Sequence, residues 1–173
     1  MRIEVEKLSG EGESFAHTYG EGDLTLEEGR SRVAGATVVE GRASRKGEEV
    51  RLKGRIRAEV EVSCDRCLRP VAGPLEVEFE ESFIPLVADA REGEERELQA
   101  ADLHVSVYEG ESVDVDELVR EQLLLAVPAR FVCREDCKGL CPACGADLNA
   151  GDCACPRQET DPRWAALAAL KKD

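Results

Sequence analysis

Hydrophobic and polar residues alternate most strictly between Val50 and Cys64. Val50, Leu52, Gly54, Ile56, Ala58, Val60, Val62 and Cys64 hold the even positions, and Arg51, Lys53, Arg55, Arg57, Glu59, Glu61 and Ser63 hold the odd ones. A period of two is that of a strand with one face buried. A strand this long is expected to bend or bulge, and Gly54 is the expected place. Cys64 shares the buried parity, so the strand itself would carry a thiol to the interior. Beyond a turn containing Cys64 and Cys67 and closed by Pro70, Gly73 and Pro74, residues Leu75, Val77 and Phe79 point inward and Glu76 and Glu78 outward. The two strands read as one long hairpin.

The flanking segments are less regular. Ile3 and Val5 alternate with Arg2, Glu4 and Glu6, which predicts a short strand within residues 1–8. Residues 9–23 read as a loop anchored by Phe15 and Tyr19, Leu24 and Leu26 as a short strand, and residues 33–40 as another. The polar run Gly41–Glu49 reads as a hairpin connection. Residues 88–100 are acidic and read as a solvated loop, with a strand at Leu103, Val105 and Val107. Asp114 followed three residues later by Glu117 marks a helix start. That helix runs over 115–127, with Val115, Leu118, Val119, Leu123 and Ala126 on one face and Pro128 stopping it. Asp161 and Pro162 form an N-cap and first-turn pair for a last helix reaching Leu170 and carrying Trp164 and Leu167.

Together these elements predict an α+β protein: an antiparallel β-sheet core with one packed helix and a C-terminal zinc-binding module. The expected division is a core over 1–132, a cysteine-rich module over 133–157 and a C-terminal helix over 158–173 packing on the core. A chain of 173 residues suits this plan, since a chain near that length hides roughly 70% of its unfolded surface. No repeat of solenoid period is visible, and the paired cysteines recur around unrelated flanks.

Charge changes the picture in one respect. The formal net charge is −14, and residues 76–121 carry 16 acidic and 3 basic side chains, so one middle segment holds nearly all of it. A balance this acidic argues against indiscriminate attachment to nucleic acid. The opening residues 1–7 contain no apolar run, so no signal peptide is expected, and no stretch approaches the roughly 20 apolar residues that span a bilayer. A cytoplasmic protein with reduced thiols is the expectation.

Six of the eight cysteines fall within Cys133–Cys155, and the other two form the Cys64–Cys67 pair. Close pairs are what a tetrahedral thiolate site requires, because two turns must each supply two sulfurs. In Cys141-Pro142-Ala143-Cys144-Gly145, proline fixes one φ and glycine admits a left-handed one, so backbone N–H groups can point at the sulfurs. The preferred grouping is Cys64, Cys67, Cys133 and Cys137 in one site and Cys141, Cys144, Cys153 and Cys155 in the other, each holding Zn²⁺, two ions per chain. A rival grouping joins Cys133, Cys137, Cys141 and Cys144. Disulfides are the alternative for an even cysteine count. A structural role for the metal is favoured over a catalytic one, since thiolates are plentiful and the two histidines, His17 and His104, are far from every pair. A redox role for Cys64 and Cys67 would need a helix N-terminus after the strand, where a turn between strands is expected.

Other candidates have ordinary readings. Asp114 and Asp116 would be cation ligands or, more simply, helix-start carboxylates. Gly20 and Gly22 lack the Lys-Ser/Thr of a phosphate loop, and no Ser-His-Asp motif is present. Four successive outward positions, Arg51, Lys53, Arg55 and Arg57, are basic and about 7 Å apart along their strand. They are candidates for RNA contact, unless the outward glutamates of the next strand neutralise them. Few aromatics are available for base stacking.

The run Lys138-Gly139-Leu140-Cys141-Pro142-Ala143-Cys144-Gly145-Ala146-Asp147-Leu148-Asn149, with Cys64-Asp65-Arg66-Cys67-Leu68 before it and Asp161-Pro162-Arg163-Trp164-Ala165-Ala166-Leu167 after it, resembles the YceD family of bacterial and plastid large ribosomal RNA subunit accumulation proteins. The resemblance is weak before residue 50 and strong from 60 onward. It implies a ribosome biogenesis factor supporting 23S rRNA accumulation or processing and large-subunit assembly, and it does not imply an enzyme. Its expected partners are ribosomal RNA, a pre-50S particle or a basic ribosomal protein, with no membrane and no small-molecule substrate. Two rivals stand beside that reading. One is an acidic zinc-binding adaptor or chaperone for a basic ribosomal protein without RNA contact. The other is a metal-dependent RNA-processing enzyme.

Overall fold

The alternation from Val50 to Ser63 forms the longest pairing among the described residues. In the computed structural model, which describes residues 1–26, 29, 31–86, 105–155 and 163, β1 spans Arg2–Glu4, β2 Glu13–Tyr19, β3 Ser31–Val33, β4 Thr37–Lys46, β5 Glu49–Ser63, β6 Pro70–Pro85, β7 Val105–Tyr108 and β8 Ser112–Asp114. Helix α1 spans Val115–Ala126. The main sheet has the order β2-β4-β5-β6-β7, with β3 paired to β5 beyond the end of β4, and β1 pairs with β8 in a separate two-stranded sheet.

β5 and β6 pair antiparallel from Val50↔Phe83 to Ser63↔Pro70 without a break in register. The expected bulge at Gly54 is therefore absent. Gly54 serves closeness instead. It lies opposite Gly41 of β4, and a Cβ on Gly54 would sit 2.3 Å from the Glu40 carbonyl oxygen and 3.0 Å from the Phe79 ring. Phe15 pairs with Gly41 and Phe79 with Gly54, so two rings flank the bare backbone and supply the packing that the glycines lack.

Four other expectations change. Residues 13–19 are a strand rather than a loop, in register with β4 from Glu13↔Ala43 to Tyr19↔Thr37. It lies at the sheet's end, with only Tyr19 buried, so no hydrophobic alternation marks it. The run 41–46 continues β4, and the hairpin turn is only Gly47-Glu48, with Gly47 at φ +67°. Leu24 and Leu26 are buried without forming a strand. The core is also not purely antiparallel, because β7 runs parallel to β6, Ser82↔Val105 to Pro85↔Tyr108. A parallel neighbour needs a long crossover, and residues 87–104 give the chain that length. The acidic loop 88–100, Leu103, His104 and the helix expected over 161–170 lie outside the described residues, save Arg163.

α1 begins where the sequence predicts. The Asp114 carboxylate accepts from the backbone N–H of Asp116 and Glu117, satisfying donors that a first turn leaves unpaired. Val115, Leu118, Val119 and Leu123 are buried and join Leu52, Ile56, Val50, Val39 and Val113 in one core. Each such aliphatic side chain contributes about 1.5–3 kcal/mol on burial. β1 pairs with β8 just before the helix, Arg2↔Asp114. The Met1 amine and the Tyr19 hydroxyl (2.7 Å) both donate to Asp116. The helix start is thus tied to two distant strands, and no helix among the described residues is long and apolar enough to cross a membrane.

Candidate metal centres

The turn between β5 and β6 and the first turn of the Cys-Pro-x-Cys run share one frame. Leu68 N–H donates to the Cys64 carbonyl at 2.9 Å, and Cys64 N–H donates to the Arg69 carbonyl at 2.9 Å. In the second turn, Gly145 N–H donates to the Cys141 carbonyl and Cys141 N–H to the Ala146 carbonyl, both at 2.8 Å. The offsets from the leading cysteine, four residues and five, are the same in both. Their flanks are unrelated in sequence, so the repetition is one of backbone conformation. Each turn projects its two sulfurs to the same side, as a thiolate site needs.

Parity carries Cys64 to full burial, at the end of β5. There Cys64, Cys67, Cys133 and Cys137 gather, their sulfurs all within 4.8 Å of one another. Cys64 Sγ lies 3.9 Å from Cys137 Sγ, and Cys67 Sγ 3.7 Å from Cys133 Sγ. A tetrahedral ion with metal–sulfur bonds of about 2.3 Å separates its sulfurs by about 3.8 Å, so the donor set and its spacing fit such an ion. Cys141, Cys144, Cys153 and Cys155 form a second set within the same 4.8 Å limit. The rival grouping of Cys133, Cys137, Cys141 and Cys144 is not the one formed, and all eight cysteines are free thiols.

The first set is clamped from both sides. Asp65 N–H donates to the Phe131 carbonyl at 2.8 Å, and Phe131 N–H donates to the Asp65 carboxylate at 2.7 Å. Arg66 reaches across to the carbonyls of Glu135 (3.1 Å) and Cys137 (2.8 Å). Leu140 N–H donates to the Arg66 carbonyl at 3.0 Å. Gly139 permits that approach: it has φ +77°, and a Cβ there would lie 2.9 Å from the Arg66 oxygen. Asn149, between Cys144 and Cys153 in the chain, reaches back to the first set. Its Oδ1 accepts from Lys138 N–H (2.9 Å) and from Arg134 (2.8 Å), while its Nδ2 donates to Cys137 Sγ at 3.6 Å and to Asp147 at 2.7 Å. Asp65, Arg66, Gly139 and Asn149 are supporting residues that cysteine spacing alone does not reveal, although Asn149 closes the most distinctive run of the sequence.

Electrostatics within each set are uneven. The Cys133 N–H holds the Cys64 thiol down at about 6, against the effect of burial and with help from other nearby donors. Cys133 is pushed up to about 12 by burial and by the neighbouring thiols. In the second set the N–H groups of Cys144 and Ala143 hold Cys141 at about 6, while the Cys144 thiol leads in pushing Cys155 up to about 12. One thiolate forms readily in each cluster and opposes the next. A bound divalent cation reverses that opposition.

The remaining candidates fall elsewhere. Arg51, Lys53, Arg55 and Arg57 share the outward face of β5, but each meets a glutamate. Arg51 and Lys53 meet Glu80 (3.6 and 2.9 Å), Arg55 meets Glu40 and Glu76 (3.2 and 3.5 Å), and Arg57 meets Glu40 (2.8 Å). Asp114 caps α1, as above. His17 is exposed on β2, its ring edge-on to Tyr19 with centroids 4.5 Å apart.

Comparison with known proteins places these centres in a shared segment. A family model described as large ribosomal RNA subunit accumulation protein YceD matches residues 52–171, which include all eight cysteines. An uncharacterized protein of Mycobacterium tuberculosis is 35% identical over 124 residues, covering 71% of this chain and 56% of that relative. The Bacillus subtilis protein YlbN, also uncharacterized, is 28% identical over 170 residues, covering 98% of this chain and 94% of its own length. The Arabidopsis thaliana chloroplastic protein named large ribosomal RNA subunit accumulation protein YCED homolog 1 is 26% identical over 152 residues, covering 74% of this chain and 46% of the relative. The chain thus spans little more than half the length of the mycobacterial relatives. No solved structure matches.

Proposed function

The chain belongs to the YceD family, and we propose that it supports accumulation of large-subunit ribosomal RNA as a non-catalytic assembly factor in the cytoplasm. The observation that carries this reading is the family match over 52–171, which takes in both cysteine tetrads and the strands that bear them. The name of the plant relative points the same way.

We assign Zn²⁺ to both tetrads, with Cys64, Cys67, Cys133, Cys137, Cys141, Cys144, Cys153 and Cys155 as ligands. Support comes from the all-thiolate donor set, which suits zinc and leaves a tetrahedral ion no open position for water or substrate. In this reading the metals are clasps. The first joins the β5–β6 turn to the chain after α1, and the second closes residues 141–155 on themselves.

Two modes of action follow. In the first, RNA is met directly, and Arg51, Lys53, Arg55 and Arg57 are the contact. Phosphates would then have to displace Glu40, Glu76 and Glu80 from these cations. That pairing favours the second mode, an acidic adaptor that holds a basic ribosomal protein. A metal-dependent RNA-processing enzyme is disfavoured by the saturated ligand sets.

Depletion of the protein in its own cells tests the assembly role. The expected result is a fall in 23S relative to 16S rRNA, restored by the wild-type gene and not by a Cys64→Ser copy. An unchanged ratio would sink the proposal. Cross-linking in the same cells separates the modes: RNA adducts on β5 support the first, and protein adducts without them the second.

A further inference from the structure

β7 and β8 are consecutive strands that do not pair with each other. β7 ends the main sheet among the described residues, and β8 pairs with β1. The turn between them, Glu109-Gly110-Glu111, passes through φ +71° at Gly110, and the two strands then diverge into different sheets. A groove of about 770 Å³ lies between them. All four residues of β7 and all three of β8 line it. Alternate side chains of a strand point to opposite faces, so a groove lined by consecutive residues runs along strand edges rather than over one face. Among the described residues, its walls are therefore two backbone edges without strand partners on that side, which part as they leave the turn.

Phe83 and Leu118, both buried, form part of its apolar floor, and Val107 is 56% exposed beside them. The rim is acidic. Glu109, Glu117 and Glu121 line the groove and have no ion-pair partner among the described residues, whereas Arg2, the one basic group lining it, is held by Asp114 at 3.3 Å. Glu117 and Glu121 stand one helical turn apart, about 6 Å, close to the roughly 7 Å between alternate residues of an extended chain.

We propose that this groove binds an extended, basic peptide segment of a partner protein, which enters as a strand between β7 and β8 and sets alternating lysine or arginine side chains against Glu109, Glu117 and Glu121. Strand addition supplies affinity through the main chain, and the rim selects charge. The inference extends the adaptor mode above by giving it a site, and it does not depend on how the metal centres are used.

The test is a fluorescence-anisotropy titration of the intact, metal-loaded protein with a nine-residue peptide alternating lysine and valine. A second peptide of the same sequence carries N-methyl groups on alternate residues, which keeps its charge but removes donors from one edge. Saturable binding is expected, weakened at least tenfold by N-methylation and at least tenfold by combined Glu109→Lys, Glu117→Lys and Glu121→Lys. The milder Glu→Gln triple variant should weaken it in the same direction, and circular dichroism checks that both stay folded. A photo-cross-linking residue at position 121 should label the peptide. Equal binding of the N-methylated peptide, or of the charge variants, overturns the proposal. So does cross-linking to residues 156–173 of the same chain or to a second copy. A flat titration beside a normal depletion phenotype overturns the groove and leaves the assembly role standing.

Discussion

Leu68 occupies in the first cysteine turn the position that Gly145 occupies in the second. Both follow the leading cysteine by four residues, both donate to its carbonyl, and both have positive φ, +57° and +74°. Only one of them is a glycine. A left-handed conformation costs a residue with a Cβ about 1–2 kcal/mol, partly offset in glycine by its larger loss of backbone freedom. Leu68→Gly should therefore stabilise the metal-loaded protein by about 0.5–1 kcal/mol and raise Tm by about 2 °C. Gly145→Leu should lower it. A fall in Tm for Leu68→Gly would mean that the 63% exposed leucine makes contacts that outweigh its backbone strain.

Asn149 is expected to govern metal retention at a site to which it gives no ligand. Loss of a group that hydrogen-bonds a metal ligand typically costs 10–100-fold in metal affinity. Asn149→Ala should therefore speed transfer of one of two metals to a chromogenic chelator by at least tenfold. Equal release from wild type and variant would reduce Asn149 to a loop-shaping role.

The two centres should differ in what their loss unfolds. Native mass spectrometry is expected to find two metals per chain. Cys153→Ser should leave one metal and near-wild-type amide protection in β4, β5 and β6. Cys64→Ser should also leave one, with protection lost at the end of β5 and the start of β6. Equal loss of protection in both variants would contradict the division between a clasp across the domain and a local knuckle.

Asp116 gives a pH dependence of definite sign. Burial raises its carboxyl, but the Met1 amine and the Tyr19 hydroxyl pull it below its ordinary value. A carboxylate lowered in the folded state contributes stability that is complete above its unfolded pKa of about 3.9 and is lost as pH falls through the lower native value. The Tm difference between wild type and Asp116→Asn should stay constant between about pH 5 and pH 7 and shrink below pH 4. Acid loss of metal affects both proteins alike and drops out of the difference. A gap that widens on acidification would refute the assignment.

Gly54 is expected to tolerate no side chain. Gly54→Val must move backbone, because the Glu40 oxygen lies 2.3 Å from the new Cβ, while Gly73→Val meets nothing within 4 Å. The first should prevent folding or cost several times the roughly 1 kcal/mol typical of a point mutation. The second should be close to neutral. Comparable melting curves would remove the case for close β4–β5 approach.

What could be read in advance follows from where burial leaves a pattern. β5 is buried on one face along its whole length, so its alternation and the inward parity of Cys64 were plain. The grouping of cysteines followed from spacing, and the start of α1 from Asp114. β2 was illegible because only Tyr19 is buried and Phe15 half-buried along it, and a strand held by main-chain bonds to β4 needs no hydrophobic signature. The likeness of the two cysteine turns was hidden for another reason. Leu68 and Gly145 reach the same φ region from dissimilar residues, and identity of backbone does not require identity of sequence. The parallel partner β7 depends on a crossover, which no local pattern announces.

The first centre also imposes an order on the life of the chain. Cys67 and Cys133 are 66 residues apart, and Cys64 and Cys137 are 73 apart, whereas the second centre gathers its four sulfurs from 15 consecutive residues. During synthesis the first pair leaves the ribosome several seconds before its partners exist, at roughly 5–20 residues per second. The short second loop closes at lower entropic cost and with no distant partner to await. Metal scarcity during translation would therefore catch the protein half-built, its sheet formed, its last knuckle loaded, and Cys64 and Cys67 still waiting for a partner to hold.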